Sequence, residues 1–351
     1  LVLRDYVQTI WQPLIVASRA RGELLPDMEQ QFAWDIALIR DRSINAFALP
    51  GGYLGVHLGL ISAVTSADEL ASVLAHELTH VTQRHPYLRS HPMTTERIAD
   101  AQARQELLPR RAALDLTPLH AMMAARAQVL TNTSAEVLRT ISAQVDSIPP
   151  RPLSLAKQMG QWYAAVLADL RLRDPAHARK NLAQLQNVSG LDAASARVIR
   201  LLSAELSIQL GEPAKAVALL ETPAPATDRA TRLMLAQARI ALQQPAQARK
   251  AEQDLLGWLA NRPRDALAWM TVATAYQQQG DQLRALRAQA EARLADLDYQ
   301  AAIDRYKAAQ DWANQLAREG KLDRAGLMEA SIVDTRLRLS EQLRREQVLQ
   351  R

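Results

Sequence analysis

Leu70, Val73, Leu74, Leu78 and Val81 recur at the spacing of one helix face. Ser66, with Glu69 three residues later, marks the start of that helix as a capping box. Upstream the pattern is mixed. Leu1 to Arg19 reads as a helix, and Phe32–Ile39 is an apolar run of strand length. Asn45–Gly52 reads as a turn punctuated by Pro50, Gly51 and Gly52, and Tyr53–Leu58 as a second strand. From about residue 113 Ala, Leu, Arg and Gln dominate and the period is helical almost throughout. The pattern predicts an α+β domain over residues 1–112, then an all-α domain over residues 113–351, mostly helical overall.

The second part repeats itself. Trp269-x-x-Val272-Ala273-x-x-Tyr276 matches the opening of a tetratricopeptide repeat, Gly280-Asp281 fits the turn between its helices, and Ala285 and Ala292 fall where small residues are needed. Gly211–Ala216, Gln243–Ala248 and Asp174–Ala178 occupy equivalent turns. Ala178, Ala216, Ala248 and Ala285 are 38, 32 and 37 residues apart, scattered about the expected period of ~34. Stacked helix pairs of this kind form a concave surface suited to a partner protein.

Composition narrows the function classes. At 351 residues the chain is long enough for two or three domains. No apolar run approaches the ~20 residues that span a bilayer. The start, Leu1-Val2-Leu3-Arg4-Asp5, lacks the features of a secretory signal, which leaves a cytosolic chain or a mature form with its signal removed. With no cysteine, Cys-ligated metals, thiol nucleophiles and disulfides are excluded. The net charge of +5 combines −1 over residues 1–112 with +6 over residues 113–351, where it is carried mostly by single arginines scattered along helices. Aromatic residues are few and not interleaved with them, which argues against nucleic-acid binding.

The chemistry is concentrated in His76-Glu77-Leu78-Thr79-His80, an H-E-x-x-H motif on the capped helix. Residues i and i+4 share a helix face, so His76 and His80 can turn ring nitrogens toward one zinc ion, with Glu77 placed to act as general base on a water. An adjacent small sheet offers an edge to an extended peptide, with Gly51 and Gly52 aligning its backbone. His57, His85, His120 and His177 fit structural or solvent-facing roles.

Three stretches carry a family resemblance: Ile44-Asn45-Ala46-Phe47-Ala48-x-x-Gly51-Gly52, the helix from Glu69 to His85, and His91-Pro92-x-x-x-Glu96-Arg97-Ile98-Ala99-Asp100. They resemble the BepA-type periplasmic metallopeptidases, soluble relatives of the HtpX-like gluzincins that carry a C-terminal tetratricopeptide domain. The resemblance implies a zincin-like fold, with His76 and His80 as zinc ligands and Glu77 as general base. It implies that His91 can close over the zinc and hold the enzyme latent. It also implies a periplasmic role in which outer-membrane barrel proteins are helped to assemble, or degraded when they stall. The implied partners are those unfolded chains and the outer-membrane assembly machinery.

In one respect the chain departs from that family, whose third zinc ligand is a glutamate on a later helix. Here the sequence runs from His85 through Pro86 straight to the His-Pro segment, and the stretch that should carry the ligand is missing. Glu96 with Asp100 mimics the spacing, but the family match gives that element a structural role. Two functions are therefore carried forward. One is a zinc endopeptidase with a chaperone-like role in outer-membrane protein assembly. The alternative is a tetratricopeptide adaptor with a latent or inactive peptidase domain.

Overall fold

The computed structural model describes residues 1–24, 32–49, 51–82, 116–146, 152–222 and 228–349. The chain divides into two compact units, Leu1–Leu202 and Ser203–Arg351. The expected boundary between residues 112 and 113 lies outside the described residues. The helices between residues 118 and 186 group with the first unit.

The first unit opens with α1 (Val2–Ala20). Its buried residues Val2, Leu3, Tyr6, Val7, Trp11 and Ile15 form a stripe at helical spacing. Arg4 makes a two-pronged ion pair with Asp35 at 2.6 and 2.5 Å, tying α1 to the first strand. Three strands follow: β1 (Asp35–Ile39), β2 (Ala46–Leu49) and β3 (Tyr53–His57), in the sheet order β1-β3-β2. β1 runs parallel to β3 and β2 antiparallel to it.

This sheet corrects the reading of Asn45–Gly52 as a turn throughout. Ala46–Leu49 is a strand, and only its end turns, through Gly51 and Gly52 at φ +81° and +78°. A Cβ on Gly52 would also stand 2.6 Å from Cβ of Phe32. The Tyr53 run is the third strand, not the second. It is central and hydrogen-bonded on both sides, so it offers no edge to a peptide.

A short α2 (Leu58–Ala63) and then α3 (Ala67–Thr82) follow. α1 and β2 both pack against α3, and α2 packs against α4 (Pro118–Thr131). The unit continues through α5 (Ala135–Ala143), a 3-10 turn, α6 (Leu155–Leu172) and α7 (Pro175–Gln186), each packed on α6 or its neighbour. The buried Asp169 of α6 joins three helices. It accepts from Ser142 of α5 at 2.5 Å and from Asn181 of α7 at 2.9 Å. α8 (Ala193–Gln209) crosses the division between the units.

The second unit is helical: α9 (Pro213–Glu221), α10 (Arg229–Ala241), α11 (Pro245–Asn261), α12 (Ala266–Gln278), α13 (Gln282–Ala295), α14 (Tyr299–Arg318) and α15 (Arg324–Leu349). Each helix packs on the next, and α10 reaches α12 as α13 reaches α15. That is the neighbour pattern of a stacked array.

One local rule builds the turns. A residue in the left-handed region is followed by the N-cap of the next helix, and a fully buried alanine follows four residues after the cap. Arg173-Asp174 with Ala178, Gly211-Glu212 with Ala216, Gln243-Gln244 with Ala248 and Gly280-Asp281 with Ala285 all obey it. Leu297-Asp298 with Ala302 is a fifth case that the repeat spacing did not reveal. At three of the five the cap is Asp, and at each of these a carboxylate oxygen accepts the N–H of the residue three positions on, at 3.1 Å. Trp269 and Tyr276 are buried on α12, Ala285 is fully buried on α13, and the two helices pack together.

Candidate metal centre and active site

α3 begins as the sequence indicates. Ser66 Oγ accepts the N–H of Glu69 at 3.1 Å, and the Ser66 carbonyl accepts that of Leu70. The Glu69 carboxylate reaches back to Thr65, accepting its N–H at 2.7 Å and its hydroxyl at 2.6 Å. The capping is therefore reciprocal, with the return bond one residue earlier than in the standard box. Leu70, Val73, Leu74, Leu78 and Val81 are buried, which fixes the helix rotation.

That rotation sends His76 and His80 to the outer side. Their Nε2 atoms lie 3.0 Å apart, and their ring centroids 4.8 Å apart at an interplanar angle of 76°. Two neutral rings can hold this distance with one N–H···N hydrogen bond. A tetrahedral zinc fits it as well, because two nitrogens at about 2.0–2.1 Å from one ion stand roughly 3.3 Å apart. The donor chemistry suits zinc, with imidazole nitrogens and no sulfur. Glu77, between them in sequence, is only 4 % exposed. β2 lies against the same helix, and in the described sheet it has β3 on one side only. Its outer edge, not β3, is thus the strand edge beside the histidines. The signal for it was Asn45-Ala46-Phe47-Ala48-Leu49, short and masked by the adjoining Pro-Gly-Gly.

The remaining donors are incomplete. Among the described residues no group of three or more His, Asp or Glu side chains is placed to hold a metal. His85, His91, Glu96 and Asp100 lie outside the described residues. His57 sits at the end of β3, where Nδ1 meets Ser43 Oγ at 2.6 Å and the Phe47 ring approaches edge-on. His120 is fully buried. Its Nε2–H donates to the Val64 carbonyl at 3.0 Å, so Nδ1 accepts from the Tyr6 hydroxyl at 2.6 Å. Burial holds the His120 pKa below its ordinary value and drives that of Tyr6 upward. His177 is exposed and bonded to Asp174, its helix N-cap, which raises its pKa. These three histidines are engaged elsewhere and do not join the His76–His80 pair.

Residues 5–90 match peptidase family M48. The M48 region is also where the curated relatives align. A putative beta-barrel assembly-enhancing protease of Vibrio cholerae is 43% identical over 84 residues, 24% of this chain and 16% of the relative. A beta-barrel assembly-enhancing protease of Yersinia pestis is 52% identical over 84 residues, 24% of this chain and 15% of the relative. A mitochondrial metalloendopeptidase OMA1 of Schizosaccharomyces pombe is 46% identical over 52 residues, 15% of each chain. The chain thus spans about a sixth of the length of the relatives it matches. The M48 match and these names support a metalloendopeptidase. No helix among the described residues is long and apolar enough to cross a membrane.

Proposed function

We propose that the M48 region is the catalytic part of a zinc-dependent endopeptidase. The observation that carries the reading is the His76–His80 pair, converged on one helix face with Glu77 buried beside it. His76 and His80 would hold the zinc, which when bound supplies Lewis acidity toward a peptide carbonyl. The Glu77 carboxylate takes a proton from the attacking water and delivers it to the leaving amine nitrogen. The outer edge of β2 would align an extended substrate, with Gly51 and Gly52 setting the turn that ends the strand. His91 would supply the closing ligand of the latent state.

The relatives' names speak of enhancing beta-barrel assembly; together with the family resemblance in the sequence, they support outer-membrane barrel proteins that stall in assembly as the substrates and the periplasm as the setting. The helical array, read as a tetratricopeptide-type domain beginning near residue 113, would recruit the assembly machinery. Its repeated turns and buried alanines support that reading.

The test combines metal analysis with cleavage of an unfolded protein such as casein. The wild type should carry about one zinc per chain, and His76→Ala with His80→Ala should lose it. A wild type that is metal-free without chelator would count heavily against the proposal.

A further inference from the structure

The helix that carries the H-E-x-x-H motif is held at its start from outside. Val64 lies two residues before the Ser66 cap of α3, and its carbonyl accepts the Nε2–H of His120 at 3.0 Å. Nδ1 of the same ring accepts from the Tyr6 hydroxyl at 2.6 Å. Three elements thus meet at one imidazole: α1 through Tyr6, α4 through His120, and the link between α2 and α3 through Val64. α4 packs along α2 and touches α1, and α1 packs on α3. The N-cap of α4 places the His120 backbone, with Thr117 Oγ1 accepting its N–H at 3.2 Å.

Filling the space between these elements needs only an apolar ring. Two directed hydrogen bonds add a fixed distance and angle to the Val64 carbonyl, and they require a neutral imidazole. Nδ1 can accept only while it carries no proton. Were it protonated, the buried Tyr6 hydroxyl would have to accept instead, and its own hydrogen would have no partner among the described residues. The first turn of α4 also disfavours a positive charge, because it lies at the positive end of the helix dipole. Two carboxylates act on the pair, both from the first turn of α3. Asp68 acts on Tyr6, and Glu69 favours the charged ring, but burial outweighs Glu69. α2 carries no charged residue.

We propose that His120 is a positioning residue for the endopeptidase. Neutral, it fixes where the H-E-x-x-H helix begins; protonated, it releases that start. The geometry stands by itself, while the consequence for catalysis rests on the peptidase reading of α3.

The test measures hydrogen–deuterium exchange of the metal-free full chain, corrected for the intrinsic effect of pH, beside casein cleavage by the zinc-loaded chain. His120→Phe removes both bonds but keeps a ring. Amides of residues 64–70 should then exchange about tenfold faster at neutral pH, with α12 to α15 unchanged. The kcat should fall by a similar factor while KM and zinc content hold. His120→Gln offers Val64 an N–H and Tyr6 an oxygen without titrating, so it should restore protection and turnover. It should also keep both as pH falls from about 7 to 5, where the wild type loses them. Tyr6→Phe gives an independent variant and should act in the direction of His120→Phe. Unchanged exchange in both Phe variants, or an acid loss in His120→Gln equal to that of the wild type, would overturn the proposal. So would faster exchange spread evenly over both units, which a merely structural residue would give, or faster exchange with unchanged kcat in an active enzyme. A wild type that cleaves nothing counts against the zinc reading alone, because the exchange measurement needs neither metal nor activity.

Discussion

The two units place their information differently. In the helical part of the chain one rule is used five times, once toward the end of the first unit and four times in the second, with a left-handed residue, a cap and a buried alanine. In the rest of the first unit each important residue occurs once, and its meaning depends on its own partner, distant or near in sequence. His120 is satisfied by Tyr6, 114 residues earlier, while His76 and His80 meet each other one turn apart. Two histidine environments within one unit thus have opposite fates. The buried ring has both nitrogens committed to protein, and the helix-face pair turns its nitrogens to a common point. Burial and partners, not residue type, separate a structural histidine from a candidate ligand.

The sharpest way to break this contrast is Glu77→Gln. If the helix face is catalytic, turnover should fall by about 10²–10⁴-fold while zinc content and melting temperature hold. Retained turnover would move the general base elsewhere. In the array, Ala285→Leu should cost roughly 1–3 kcal/mol by overpacking a fully buried position, read by urea denaturation. A neutral result would mean that the close α12–α13 crossing is not what that alanine serves. Replacing the Asp281 cap with Ala should cost about 1 kcal/mol, which thermal denaturation can resolve.

The smallest effect concerns pH. The folded-state pKa of His120 lies below its ordinary 6.5, chiefly through burial, with Glu69 opposing. The unfolded chain therefore binds the proton first, and stability should fall as pH drops below about 6.5. His120→Phe should flatten that slope between pH 7 and 5 in denaturant titrations. An unchanged slope would assign the acid sensitivity to other groups.

Much of this was legible locally. Ser66 and Glu69 announced the start of α3, the apolar stripe gave its buried face, and the spacing of H-E-x-x-H placed both rings together. The turns at Asp174, Glu212, Gln244 and Asp281 were visible because caps and left-handed residues act within a few positions. What escaped was non-local. Ala46–Leu49 is four residues long and becomes a strand only by pairing with β3, so its own pattern was outweighed by Pro50-Gly51-Gly52. The central place of β3 depends on β1, separated from it by the whole of β2.

The repeated turn has a cost in specificity. Five helix junctions that follow one rule are nearly interchangeable, so a wrong helix pair, or one from another copy, meets little local resistance while the chain is forming. Discrimination then rests on contacts that occur once. Asp265 is such a contact, accepting two bonds from Arg229 at 2.7 Å and one from the Trp258 indole at 2.9 Å. The pairs Arg336–Glu291 and Arg287–Glu329 are others. A charge mismatched in any of these would be buried without a partner. These pairs act as address labels on otherwise uniform parts, and removing one should show first as misassembly at high concentration rather than as a lower melting temperature.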